Sequence, residues 1–185
     1  MERDAEATRR RLVTAGRAEF AAHGLNGARV DRIAAAARSN KAQIYHYFGN
    51  KAGLFDAVWN EVVEQIIVSV PLDVNDLPGF AAALSDLYAE YPDLPRLITW
   101  QRLEHGDAVN DLGVASVRDR SAAIAELQAK GLVSTRFEPQ VLLALLIHIA
   151  MLWAVANPEV LVVVGLDDRA QRREVVRRVV AALVE

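Results

Sequence analysis

The sequence predicts an all-α protein. A small N-terminal domain of three helices should occupy residues 1–50. A longer helical domain should follow over residues 51–185, with a helix from about residue 51 linking the two. Three observations point there. Apolar residues recur at helical spacing rather than in alternation nearly throughout. Ala and Arg, both good helix formers, are abundant. Charge is also divided along the chain: residues 1–60 hold 10 Lys+Arg against 6 Asp+Glu, net +4, and residues 61–185 hold 11 against 18, net −7. A basic head on an acidic body suggests a nucleic-acid module joined to something that avoids nucleic acid.

Each element follows from its pattern. Leu12, Ala15, Gly16 and Phe20 make one apolar face of a first helix, and Gly24 should stop it in a left-handed cap. Val30, Ile33, Ala34 and Ala37 make a short second helix. Asn40 can cap a third, with Gln43 at the reciprocal position of a capping box, and Gly49 closes it. Leu54, Phe55, Val58, Trp59, Val62 and Ile66 mark a long fourth helix. Residues 71–79, PLDVNDLPG, read as a loop. Helical patterns then cover about 80–90, 94–105, 114–129, 139–156 and 169–184. The β-branched run Leu161 to Val164 is too short to assign.

Composition excludes several functions. With 52% apolar residues the chain can bury a core, and with no cysteine it has no disulfide, zinc thiolate or cysteine nucleophile. That suits a reducing cytoplasm. The longest apolar run, Val141 to Val155, carries His148 and falls short of the roughly 20 residues a membrane span needs. No catalytic motif of the HExxH, GxSxG or Gly-rich phosphate-loop kind is present. An enzyme, a cofactor and a metal site are therefore not expected. The four histidines, His23, His46, His105 and His148, lie far apart in sequence, and the nearest metal combination would be His105 and His148 with Glu104.

Residues 31–55, DRIAAAARSNKAQIYHYFGNKAGLF, carry the chemistry. Two short helices joined by a tight polar break suit a helix-turn-helix, whose second helix enters the DNA major groove. Its first turn must be polar or small. Lys41 can donate to guanine, Gln43 can pair with adenine, and Ala42 permits close approach. Gln43 cannot read a base and close a capping box at once. With Ile44 and Phe48 packed inward, Tyr45 and Tyr47 would offer hydroxyls to phosphates, and His46 would face solvent or phosphate. Lys51 opens the next helix, where free backbone N–H groups already favour an anion.

LxxAxxxFxxHG, then IAxxA, then IYHYFGNKAGLF, resembles the N-terminal domain of TetR-family transcriptional regulators over about Thr8 to Trp59. The resemblance implies double-stranded operator DNA bound by a homodimer, and release by a small-molecule effector held in a variable helical C-terminal domain. It places DNA contacts at Lys41, Ala42, Gln43, Tyr45, Tyr47 and Lys51, supported from the second helix's start at Arg29 and Val30. Four departures stand out. Arg38 replaces the usual turn glycine, which brings backbone strain unless a phosphate compensates. Asn40 replaces a serine cap. Gln43 replaces a threonine, and Ala28-Arg29 replaces the usual hydroxyl cap of the second helix.

Beyond Ile66 the resemblance supplies architecture. Residues 91–106, YPDLPRLITWQRLEHG, are similar to a segment of some family members. Val141 to Val155, apolar all round, should be buried on most sides. The last two long helices should form a four-helix interface with a partner copy. Effector candidates are Tyr88, Trp100, Leu103, His105, His148, Met151 and Trp153, and the expected effector is hydrophobic or aromatic. A helical module binding protein instead of DNA remains the alternative.

Overall fold

The computed structural model describes residues 2–106 and 108–185, and among them every regular element is a helix. The chain separates into two compact units. One comprises the chain up to Val63 together with Asp93–Ala108; the other comprises Glu64–Pro92 and Val109–Glu185.

The first unit is built on α1 (Glu2–Gly27), α2 (Val30–Ala36), α3 (Lys41–Phe48), the start of α4 (Lys51–Ser69) and α6 (Asp93–Glu104). The predicted stripe of α1 is its buried face: Leu12, Gly16 and Phe20 lie inside, and Phe20 meets Phe55 of α4 edge-on at 5.1 Å. Ile33, Ile44 and Leu54 complete the core. Gly24 does not act as predicted. Its φ of 67° is positive but its ψ is 179°, outside the left-handed helical region, and α1 kinks there and runs on to Gly27. The reason is α6. A Cβ on Gly24 would lie 2.7 Å from Cε3 of Trp100. Around this contact α6 is tied to α1 by Asp93 with Arg17 and by the Arg96 Nε donating to the Ala21 carbonyl at 3.0 Å. The Glu104 carboxylate also accepts from the backbone amides of Leu25 and Asn26.

The second unit packs α5 (Leu77–Glu90) against α8 (Pro139–Ala150) and α11 (Arg169–Val184), with α7 (Asp111–Ala129) on α8. Phe80, Leu84 and Leu87 of α5, Leu142, Leu143 and Leu146 of α8, and Val176 and Val180 of α11 form the core. The loop predicted for 71–79 ends early, because Asp76 caps α5 by accepting from the Gly79 N–H at 2.8 Å and Pro78 fits the first turn. The helix predicted over 139–156 breaks at Met151, after which α9 (Leu152–Val155) is a single turn. The run at 161–164 ends a helix, α10 (Pro158–Val164), opened by Pro158 and closed by a left-handed Gly165. Local start and stop signals here outweigh the β preference of valine.

Asp76 also pairs with Arg177 of α11 at 3.1 Å. The Gly79 amide first, and Arg177 after it, hold its carboxyl below the ordinary 3.8. A carboxylate depressed in the fold contributes stability that is present above its unfolded value and is lost as pH falls through its folded value. Asp76→Ala should cost about 1 kcal/mol at neutral pH, the usual worth of such a cap. In acid titrations of urea midpoints below about pH 4, the variant should lose less than the parent does. Parallel acid profiles would show that Asp76 carries no linkage.

Candidate DNA-reading site

The α2–α3 turn is set by a residue that strains to make it. Ser39 N–H donates to the Ala34 carbonyl at 2.9 Å and Arg38 N–H to the Ala35 carbonyl at 3.1 Å. This bonding pattern ends a helix on a left-handed residue, and Arg38 occupies that place with φ 51°, the one positive-φ non-glycine among the described residues. Arg11 of α1 reinforces the end, its Nε donating to the Ala37 carbonyl at 3.2 Å. Asn40 then caps α3, accepting from Gln43 N–H at 3.0 Å. The cap that the sequence lacks at α2 comes from α1: Arg29 makes no side-chain cap, and Glu19 accepts from its N–H at 2.9 Å. Burial pushes Glu19 upward, but the bonds from Arg32 and Arg29 outweigh it and hold the carboxyl below its usual range.

The first turn of α3 faces out. Lys41, Ala42, Tyr45 and His46 are exposed, and Gln43 and Tyr47 are half-buried. Ile44 is buried as expected, whereas Phe48 is only half-buried, beneath the Arg9 guanidinium at 5.7 Å. Lys41 is engaged with Asp31 of α2, Nζ to carboxylate 2.7 Å, and this bond raises its pKa. A concavity of about 380 Å³ opens beside the turn, lined by Thr8, Arg11, Arg38, Asn40, Gln43 and Tyr47 among others. Hydroxyls, amides and two guanidinium groups around one hollow, outnumbering the single carboxylate of Asp4, suit a phosphate oxygen.

Lys51 is placed differently from a free phosphate ligand. Its ammonium donates to the Ala28 carbonyl at 3.0 Å and the Asn26 carbonyl at 3.4 Å, fastening the α1–α2 loop to the start of α4. The Asn50 side chain caps the Gly53 N–H at 2.8 Å. Arg11 and Glu104 also support this site; sequence reasoning passed over Arg11 and weighed Glu104 only as a metal ligand. The heptad-like spacing from Leu12 hides Arg11, and Glu104 acts on amides far away in the chain.

The effector candidates fall in both units. In the first, Trp100 packs on Gly24, Leu103 is exposed, and His105 stacks on Phe55 at 4.8 Å. In the second, Tyr88 and Met151 are buried, and burial pushes the Tyr88 hydroxyl up to about 12. His148 is exposed, its Nδ1 2.7 Å from the Ala144 carbonyl of its own helix, so α8 is not enclosed all round. Trp153 donates its indole N–H to the Arg172 carbonyl at 3.0 Å.

The family profile described as bacterial regulatory proteins, tetR family, matches residues 12–58, and the one described as tetracyclin repressor-like, C-terminal domain, matches residues 76–182. The chain is 41% identical over 162 residues to the HTH-type transcriptional repressor SCO4008 of Streptomyces coelicolor, covering 85% of this chain and 83% of that one. It is 29% identical to the HTH-type transcriptional repressor NicS of Pseudomonas putida over 55% of this chain and 51% of that one. In structure it resembles SCO4942 of Streptomyces coelicolor with a TM-score of 0.86 at 38% identity, covering 96% of this chain and 98% of that chain.

Proposed function

The chain belongs to the tetR family of bacterial regulatory proteins, and on that premise we propose that it is a repressor that binds palindromic operator DNA as a homodimer. A small molecule in the helical body releases it. In this reading residues 1–50 read DNA and residues 51–185 hold the effector and the partner copy. The observation that carries the proposal is the outward first turn of α3, with Lys41, Ala42, Gln43 and Tyr45 presented beyond a buried Ile44. A helix so presented docks in a major groove, and two such helices in a dimer must lie about 34–36 Å apart to reach successive turns. Arg29, Arg38, Asn40, His46 and Tyr47 support it from the phosphate side, and Lys51 supports it by fastening the α1–α2 loop to the start of α4.

The partner surface rests on apolar side chains with no cover. Val141 on α8 and Val179 on α11 are exposed, as are Val160, Val162, Val163 and Val164 on α10. Exposed apolar side chains on three helices of one unit suit a partner surface, and a second copy is the occupant that family membership supplies.

The test is fluorescence-anisotropy titration against DNA upstream of the protein's own gene, at two salt concentrations. Tight binding with a palindromic footprint and a steep salt dependence is the expected result. Weak binding that ignores salt would overturn it.

Arg38 gives a sharper check. Arg38→Gly should raise stability by about 1 kcal/mol by relieving the left-handed backbone, yet weaken operator binding and reduce the salt slope by about one. A variant that is more stable and binds as tightly would remove Arg38 from the DNA contacts.

A further inference from the structure

We propose that the effector carries a carboxylate on an apolar body, and that Arg120 of α7 is the residue that reads it. The proposal rests on the reading of the helical body as the effector domain. It starts from an imbalance. Arg120 is partly buried, and its Nη2 donates to the Val70 carbonyl at 3.0 Å and the Ile67 carbonyl at 3.3 Å, at the end of α4. Among the described residues no carboxylate lies within 4.0 Å of it, and both of these hydrogen bonds come from Nη2. The other partly buried arginines of this unit each have a carboxylate: Arg172 has Asp167 at 3.9 Å, Arg173 has Asp86 at 2.8 Å, and Arg177 has Asp76 at 3.1 Å. A guanidinium does not shed its proton, so a buried one without an anion is a standing cost. Burial indeed pulls its affinity for the proton down.

Apart from the Ile67 and Val70 carbonyls, the groups around Arg120 are apolar or hydroxylic and none is an anion. The Arg120 guanidinium lies 5.3 Å over the Phe80 ring. Phe80, Leu84 and Tyr88 fall at i, i+4 and i+8 on α5, all buried. The Tyr88 hydroxyl, raised to about 12 by burial, keeps its proton throughout the physiological range and can donate. Ser121, next to Arg120 on α7, is 3% exposed and its Oγ has no hydrogen-bond partner. The Arg120 cation and the Tyr88 hydroxyl it interacts with meet no oxyanion, and the buried Ser121 hydroxyl, one residue along α7, is a further candidate donor. A carboxylate matches the flat fork of a guanidinium with two parallel bonds. Binding it would also draw Arg120 from the Ile67 and Val70 carbonyls, so the same side chain that closes the end of α4 would report the effector.

The experiment is a thermal-shift titration of the full chain with octanoate and phenylacetate at constant ionic strength. Octanol and 2-phenylethanol serve as neutral matches. At least one carboxylate should raise the midpoint where its alcohol does not, and Arg120→Lys, which keeps the charge but loses the fork, should bind it roughly tenfold more weakly. Arg120 also holds the end of α4, so Tyr88→Phe and Ser121→Ala are made in parallel. Each deletes one hydroxyl, should leave the midpoint of the free protein near that of the parent, and should weaken the carboxylate. The proposal is overturned if neither carboxylate stabilises the parent, if the alcohols do so equally, or if all three variants bind as the parent does. A parallel operator titration without carboxylate separates the readings. Lost DNA binding sinks the repressor, whereas the thermal shift judges Arg120 alone.

Discussion

Gly24→Ala should destabilise the protein by about 3 kcal/mol or more, although it adds a single methyl group. Two costs combine. The backbone at φ 67° and ψ 179° lies where only glycine is comfortable, which costs an alanine about 1–3 kcal/mol. The new Cβ would also stand 2.7 Å and 2.9 Å from two atoms of the Trp100 ring and 3.0 Å from the Glu104 carboxylate. Overpacking of that kind costs a further 1–3 kcal/mol or so. The ring is rigid and cannot yield as a flexible chain end would. Moving α6 would loosen Glu104 from the Leu25 and Asn26 amides as well. Urea unfolding followed by tryptophan fluorescence measures the loss. Trp100→Leu in the Gly24→Ala background should recover part of it, since only the contact term can be relieved. A loss below 1 kcal/mol would mean that neither strain nor contact is as described.

That glycine shows where sequence reading stops. Its positive φ was legible, because a glycine after His23 at the end of an apolar stripe is a local signal. The cause was not, because it lies on Trp100, far along the chain. The same division runs through the fold. The faces of α1 and α2, the Asn40 cap and the long α4 rest on spacing and capping, and all are where the pattern puts them. The break at Met151 has no glycine or proline to announce it. In α10 the opposite held: Pro158 and Gly165 made a helix of a run that resembles a strand.

The candidate DNA-reading site was legible in the exposure of its residues and illegible in its supports. Lys41, Gln43 and Tyr45 follow from helical phase, which fixes what faces out once Ile44 faces in. Which carbonyls hold Lys51, and that Glu19 serves as the missing cap of α2, depend on how helices cross. Arg120 is the extreme case. On its own helix it is one arginine among charged neighbours, and its lack of an anion emerges only when α4 and α5 are packed beside it.

Lys41 and Asp31 should give opposite results in operator binding, and the pair discriminates between reading and mere positive charge. In the free protein the Lys41 ammonium sits 2.7 Å from the Asp31 carboxylate, with both side chains largely in water. To reach a base or phosphate it must leave that partner. Lys41→Ala should weaken operator binding roughly tenfold or more, the loss expected for one good groove contact. Asp31→Asn should strengthen binding several-fold at low salt, because it frees Lys41 and removes a negative charge that would face the DNA. That gain should fade as salt rises, since screening weakens an exposed charge within about 10 Å at 0.1 M. The double variant decides the mechanism. If Asp31 acts by holding Lys41, its substitution should bring little gain once Lys41 is alanine. If it acts by repelling phosphates directly, the gain should persist in full. Anisotropy titrations of the parent, both single variants and the double variant, each against operator and scrambled DNA, separate the two. A Lys41→Ala loss equal on both DNAs would make Lys41 a phosphate contact and leave base reading to Gln43.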